Sequence, residues 1–507
     1  MKKIMNISYK ILSVLLLAFI ATGCTKLDEE SFGRLSPSTY YQNENEANSS
    51  VAGIYQSLQQ MQGVSSPWTI SVEGTDEFIV PGRASGGWFD PNNIDIMQHN
   101  VRADNQTIAG AWTNVFSEIG IANAVLESLR SSSSADKFKV QIAEARALRA
   151  YGYFYAMDFW GNVPLVTVGK IEQNNLPVTT ARADIFRFVE TELLEAVADL
   201  PAANTVDKAT YYPRLTKEAV YSLLAMTYLN AEVYTGTAKW AEAIAMCNNV
   251  INSGAFALEA NVVDSFKALN KGKTREVIFA FSIDPARNSG SNAYILYSQP
   301  ALDQQRYSLP FAPANGFSTQ KEALDRYETQ DKRINLLQYG PQFNLNGTPL
   351  LDTKGVQLNL VNCISFTAAA DNEGYRVLKY VPEGVTWTGP YGNNDLIQTR
   401  YADILLTKAE AAFRSGNTGD ALMLINQVRS RSNATNLTSV TLKNLEEERA
   451  REFIWEGHRR RDMIRFGTYF NTTWTFKTSI DPLTKGIYPI PVTQLATNPN
   501  LRQNPGY

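Results

Sequence analysis

Near the C-terminus the chain reads EERAREFIWEGHRRRDMIRFG, residues 447–467, and places Glu456, His458 and Asp462 within seven positions of one another. Carboxylates beside an imidazole are the residue types of general acid–base catalysis and of metal ligation. On a helix, however, Glu447 and Arg451 stand at i, i+4, as do Glu456 and Arg460, and Arg449 and Glu452 stand at i, i+3. Acid before base at i, i+4 is the favoured order for surface pairs. Phe453, Trp455, Ile464 and Phe466 add apolar packing, and Gly467 suits a helix C-cap. The stretch therefore reads as a structural helix rather than an active site.

Other chemistry is equally sparse. The chain has two histidines, His99 and His458, and no HExxH, paired CxxC or GxSxG. KGKT (271–274) lacks the Gly-rich loop of a phosphate site, with Lys267 where the first Gly belongs. DPNNID (90–95) offers oxygen ligands but not the glycine and distal glutamate of a calcium loop, so it reads as a turn. Glycoside hydrolysis needs only two carboxylates, and among 50 acids such a pair carries no signature. No cofactor is implied.

The elements that would position a site are mostly helical. Apolar periodicity pairs 46–60 with 105–130, 140–161 with 181–201, the two halves of 216–254, and the two halves of 401–432. The last two share a register. Leu224, Ala225 and Tyr228 match Leu405, Leu406 and Ala409, and Ala243, Ile244, Cys247 and Ile251 match Ala421, Leu422, Ile425 and Val428. Small residues let paired helices approach while aliphatics fill the groove, which is tetratricopeptide-type packing. Residues 62–103 and 255–398 differ in texture, being rich in Gly, Asn, Pro and aromatics, with strand-like EVIFAFSI and VQLNLVNCISF. Loops of that length are functional or disordered, and aromatic content argues against disorder.

At the N-terminus Lys2, Lys3 and the apolar run ILSVLLLAFIA (11–21) form a secretory leader too short to span a bilayer. It ends ATGC, similar to a lipobox with Ala21 in the usual Leu place, which makes Cys24 the expected lipid attachment; acidic TKLDEE follows. Removing residues 1–23 takes away three lysines, leaving 44 basic against 50 acidic residues. That balance offers no footprint for nucleic acid. Cys247 and Cys363 read as buried thiols.

The C-terminal stretch with YPIPVTQLATNPNLRQNPGY (488–507), AEARALRAYGYFYAMDFWGNVPL (143–165), TRYADILLTKAEAAFRSGN (399–417) and the lipobox together resemble the SusD/RagB family of outer-membrane lipoproteins. The resemblance implies a mainly α fold: four tetratricopeptide-type helix pairs in a right-handed α–α superhelix, supporting a loop-rich ligand-binding region with short β segments. Its expected divisions are a leader (1–23), an N-terminal half (24–254), a ligand-binding insertion (255–398) and a C-terminal region (399–507). It implies a surface-exposed, lipid-anchored binder of glycan, or alternatively of peptide, that is not an enzyme. The implied partner is a SusC-like TonB-dependent transporter in the outer membrane.

Sugar rings stack on aromatic faces and their hydroxyls need polar partners. Trp112, Trp160, Trp240 and Trp455 lie in helical patterns; Trp68, Trp88, Trp387 and Trp474 lie in loops. EGTDEFIVPGRASGGWFDPNN (73–93) resembles the family's first ligand loop, which carries Asp76, Arg83 and Trp88 over as ligand-facing, with Phe89 and Asn92 adjacent. Further candidates are Tyr294, Tyr297, Tyr307 and Phe311 in 292–317, and Trp387 and Tyr391 in VTWTGPYGNN (385–394). A protein-interaction scaffold is the third class, disfavoured by the aromatic insertions.

Overall fold

The expected helical periodicity becomes four packed helix pairs. The computed structural model describes residues 41, 43–267, 270, 272–283, 293–380, 389–392 and 394–507. The leader, Cys24, the acidic tether and Trp387 lie outside the described residues. Helix α1 (Glu44–Leu58) packs on α2 (Gln106–Ser131), and α3 (Lys139–Trp160) on α4 (Arg182–Asp199). Helix α5 (Lys217–Leu229) packs on α6 (Trp240–Asn252), and α7 (Tyr401–Arg414) on α8 (Thr418–Arg431). Contacts of α2 with α3, α4 with α5 and α6 with α7 join the pairs into one array.

Local sequence explains the starts of these helices. Asn43, Asn105 and Asn417 each accept a backbone N–H three residues on, as N-caps do. Helix α3 is buried nearly all round because it lies between α2 and α4. That placement is why it carries Ala at 143, 145, 147, 150 and 156 rather than one apolar stripe.

The insertion contributes little sheet. EVIFAFSI supplies β1 (Val277–Phe281), antiparallel to β2 (Leu396–Arg400), which runs directly into α7. VQLNLVNCISF, expected as a strand, pairs regularly only at Asn359–Leu360, against Gly340–Pro341. The chain reverses too soon for a longer strand, at Gly347 (φ +82°) and Gly355 (φ +79°). Residues 339–361 therefore form three short runs bridged at Phe343–Pro349 and Leu351–Gln357. Cys247 and Cys363 are buried free thiols.

The C-terminal stretch departs from the single helix expected. Helix α9 (Leu442–Glu452) stops, and α10 begins only at Arg459, running to Phe466. Between them Trp455 takes φ +58° and Gly457 φ +79°. The break has a tertiary cause. Glu77 Oε1 accepts from Trp455 N at 3.0 Å, the Glu77 carbonyl accepts from the Trp455 indole at 2.7 Å, and Trp68 Nε1 donates to the Trp455 carbonyl at 2.9 Å. Gly467 does cap α10, at φ +83°.

Nor do the expected surface pairs form. Glu447 faces Arg326, Arg449 bonds Asp462 at 2.8 Å, and Arg451 turns to Glu448. Glu456 takes Lys379 and Arg400, while Arg460 lies over the Tyr488 ring and donates to the Gly486 carbonyl. Glu452 sits among Arg333, Arg400 and Arg431 with its side chain fully buried. Apart from Glu447, which is about a third exposed, these charges are largely inside the protein, where each needs a partner to offset desolvation.

Candidate ligand-binding site

The loop over residues 73–93 is held at both ends. Its start is fixed by Glu77 under Trp455; its end becomes the short helix Pro91–Met97, capped by Asp90, whose Oδ1 accepts from Asn92 N at 2.9 Å. DPNNID is thus a helix start. Between these anchors Gly86 (φ +104°) and Gly87 (φ +86°) turn the chain, and Trp88 itself adopts φ +62°.

That backbone lays the Trp88 indole across Gly316. Its Nε1 donates to the Ala314 carbonyl at 2.6 Å, and its ring meets Tyr297 edge-on at 5.5 Å and Phe317 at 5.6 Å. Behind Phe317 the rings continue inward through Phe78 at 5.1 Å to Trp455, a further 5.0 Å on. Trp88, Tyr297 and Tyr391 are half-buried, and Phe89 is 57% exposed. An aromatic rim thus stands on a rigid aromatic foundation.

Four expected ligand contacts are placed otherwise. Asp76 is 5% exposed and receives Arg459 Nε and Nη2 at 2.7 Å each, with Arg326 as a third donor. Burial would raise its pKa, but Arg326 and Arg459 hold it well below the usual carboxylate range. Asp76 braces the loop from inside. Arg83 is also 5% exposed. Its Nε donates to Asn315 O, Nη1 to Ala370 O and Glu373 O, and Nη2 to Gly316 O and Ser318 Oγ. All five guanidinium donors are spent on protein acceptors, so Arg83 fastens three loops instead of reaching outward. Asn92 is committed to Asp90 and to the Gln106 amide, at the first turns of two helices. Tyr294 is buried, against Trp455 at 5.6 Å and Tyr380 at 5.2 Å. Tyr307 and Phe311 are partly buried and pack against the core.

Beside the Trp88 loop lies a cleft of about 690 Å³. Arg83, Ser85 and Gly86 form one side, Ala314 and Asn315 another, and Asp352, Gln357, Asn359, Asp371 and Asn372 the polar remainder. The volume falls within the range of small-ligand sites. Sequence reading missed these polar walls. Their only local signal is the run of Asn, Asp and Gln between the two glycine turns and just after them.

The opening candidates for chemistry are committed elsewhere. Glu456 is held at a pKa of about 2: burial alone would raise it, and Arg400 and Lys379 outweigh that. Asp462 receives Arg449 and Arg465, and His458 lies 3.1 Å from Asp403. All three side chains are less than a tenth exposed and away from the cleft lining.

Comparison with known proteins adds context to this geometry. The model of the SusD family matches residues 254–507, and that of the family described as "starch-binding associating with outer membrane" matches residues 31–229. The starch-binding protein SusD of Bacteroides thetaiotaomicron is 28% identical over 436 residues, 76% of either chain. A SusD-like protein of Bacteroides ovatus is 25% identical, over 94% of this chain and 86% of its own. Among solved structures, a SusD-like carbohydrate binding protein from Bacteroides fragilis superposes with a TM-score of 0.75 at 21% identity, over 92% of this chain and 100% of the other. A surface glycan-binding protein A from Bacteroides thetaiotaomicron, solved with laminarihexaose, gives a TM-score of 0.73 at 22% identity, over 91% and 99%. At such identity the likeness is one of fold.

Proposed function

The chain belongs to the SusD family, whose model matches half of it, and from that premise we propose that it is a non-enzymatic glycan-binding protein of the outer membrane. The observation that carries this reading is the Trp88–Phe89 rim beside a polar cleft. Rings stack on the apolar faces of sugars while amide and carboxylate side chains take their hydroxyls. Relatives named for starch or laminarihexaose binding support the ligand class. Trp88, Phe89, Tyr297 and Tyr391 are the proposed stacking surface, and the Asp371–Asn372 and Gln357–Asn359 walls the proposed polar contacts. Trp387 belongs to the proposed site by its place in the sequence.

The anchor is proposed from the lipobox, with Cys24 acylated and the acidic tether spacing the protein from the surface. Two signals or chains are needed for stable anchoring, and a multiply acylated cysteine supplies them. A SusC-like TonB-dependent transporter is the proposed recipient of bound glycan, with the helix array as its docking body.

Native affinity electrophoresis of residues 25–507 tests the reading, using gels that contain plant, microbial and host polysaccharides. Retardation in one glycan, lost in Trp88→Ala and without release of reducing sugar, is the expected result. Retardation in none sinks the glycan assignment.

A further inference from the structure

The charges around the cleft select among glycans. Among the described residues, the charged side chains lining it are Asp352, Asp371 and Arg83. The two acids are placed to accept. Asp371 Oδ1 takes the Ser85 hydroxyl at 2.6 Å. Asp352 Oδ1 takes the Lys354 and Val356 amides at 2.8 and 2.9 Å. Each carboxylate thus keeps its second oxygen for a ligand hydroxyl.

The cations are not placed to donate. Arg83 has spent its five N–H groups on four carbonyls and a hydroxyl. Arg376, fully buried beneath the same loops, directs its two terminal nitrogens at the Glu373, Gly374 and Tyr375 carbonyls and at Asn315 Oδ1. Asn315, Asn372 and Gln357 each give one of their two amide N–H groups to a backbone carbonyl, Asp371 O, Asn359 O and Gln342 O respectively. Among the described residues, an anionic group entering the cleft meets acceptors on most sides, and the one guanidinium in its lining, Arg83, has no N–H left to give. It would lose water without gaining a charged donor.

We infer that the cleft takes neutral, hydroxyl-rich glycans and rejects carboxylated or sulfated ones, Asp352 and Asp371 being the discriminating residues. The inference rests on the glycan-binding reading above and narrows it to a chemical class.

The test uses the lipid-free protein, residues 25–507, and a panel of neutral polysaccharides (amylopectin, laminarin, galactomannan) beside anionic ones (polygalacturonate, alginate, chondroitin sulfate). A neutral glycan that is bound is then compared with its own carboxymethylated derivative at physiological salt, where only nearby charges act. The expected result is binding at least about tenfold weaker for the derivative. In Asp352→Asn/Asp371→Asn, which removes both negative charges and puts an amide donor in place of one oxygen of each residue, that ratio is expected to shrink to within about threefold. Equal or tighter binding of the derivative, an unchanged ratio in the double variant, or retention by anionic members alone overturns the charge inference while leaving glycan binding intact. Retention by no member of either set overturns the glycan reading itself.

Discussion

Gly316 and Trp88 fit face to face: a Cβ on Gly316 would stand 2.3 Å from the indole Cε2 and 2.5 Å from Cδ2. Real Cβ atoms do not come so near, so any side chain at 316 must displace the ring. The glycine thus shapes the proposed binding platform through the ring that lies on it.

Gly316→Ala is expected to swing Trp88 off its seat and break its bond to Ala314. Glycan affinity should fall at least about tenfold, roughly 1.4 kcal/mol, as measured by calorimetry. The melting temperature should move little, because the ring can rotate outward. An unchanged affinity would remove Trp88 from the platform.

Arg83→Lys tests the loop clamp. Three ammonium donors on a flexible stem cannot span acceptors from residues 315–318 and 370–373. Loss of charged hydrogen bonds at about 1.5–3 kcal/mol each predicts lower stability and faster proteolysis within 82–90. Were Arg83 a ligand contact instead, glycan binding would suffer while proteolysis stayed unchanged.

Glu452→Ala removes the shared partner of Arg333, Arg400 and Arg431. Leaving buried cations short of a counter-charge costs about 3–5 kcal/mol. Urea unfolding should show that loss, and a change below about 1 kcal/mol would mean the network relaxes freely.

Glu118 predicts a pH effect of opposite sign to ordinary acid denaturation. Its carboxyl is fully buried with neither oxygen hydrogen-bonded, and burial raises its pKa well above 4.5, Arg149 offsetting only part. The unfolded chain releases this proton near pH 4.5 whereas the folded chain keeps it. The stability that the group contributes is therefore present below that pH and lost as pH rises, at about 1.4 kcal/mol per unit. Glu118→Gln should match the parent near pH 4.5 and melt at progressively higher temperature toward neutrality. Parallel melting curves across that range would refute this.

The helix pairs were legible because their cause is local: the 3.6-residue period and small residues at close contacts. The break at Trp455 was not legible, because Glu77 and Trp68, which impose it, lie 378 and 387 positions away. The same distance effect misplaced Asp76 and Arg83. An acid or an arginine in a polar loop looks identical in sequence whether it faces solvent or another loop. Only the fold brings Arg459 to the one and the 370–373 carbonyls to the other. Trp88 stood out in the sequence through the likeness of its loop, but its half-buried seat on Gly316 was not legible. The acids of 447–467 were readable as structural rather than catalytic, yet the pairs expected for them do not form, because their burial and remote partners come from packing alone.

Asp76 and Arg459 are joined across 383 positions, so the first loop of the proposed ligand surface waits for the last tenth of the chain. Such high contact order makes assembly slow, because a long stretch must be closed before the contact forms. It also makes the contact a check on completeness. A polypeptide cut short just after α8 retains the residues of all four helix pairs but lacks Arg459, leaving Asp76 with Arg326 alone, and lacks Trp455 at the inner end of the aromatic stack. Only a finished chain presents a finished surface.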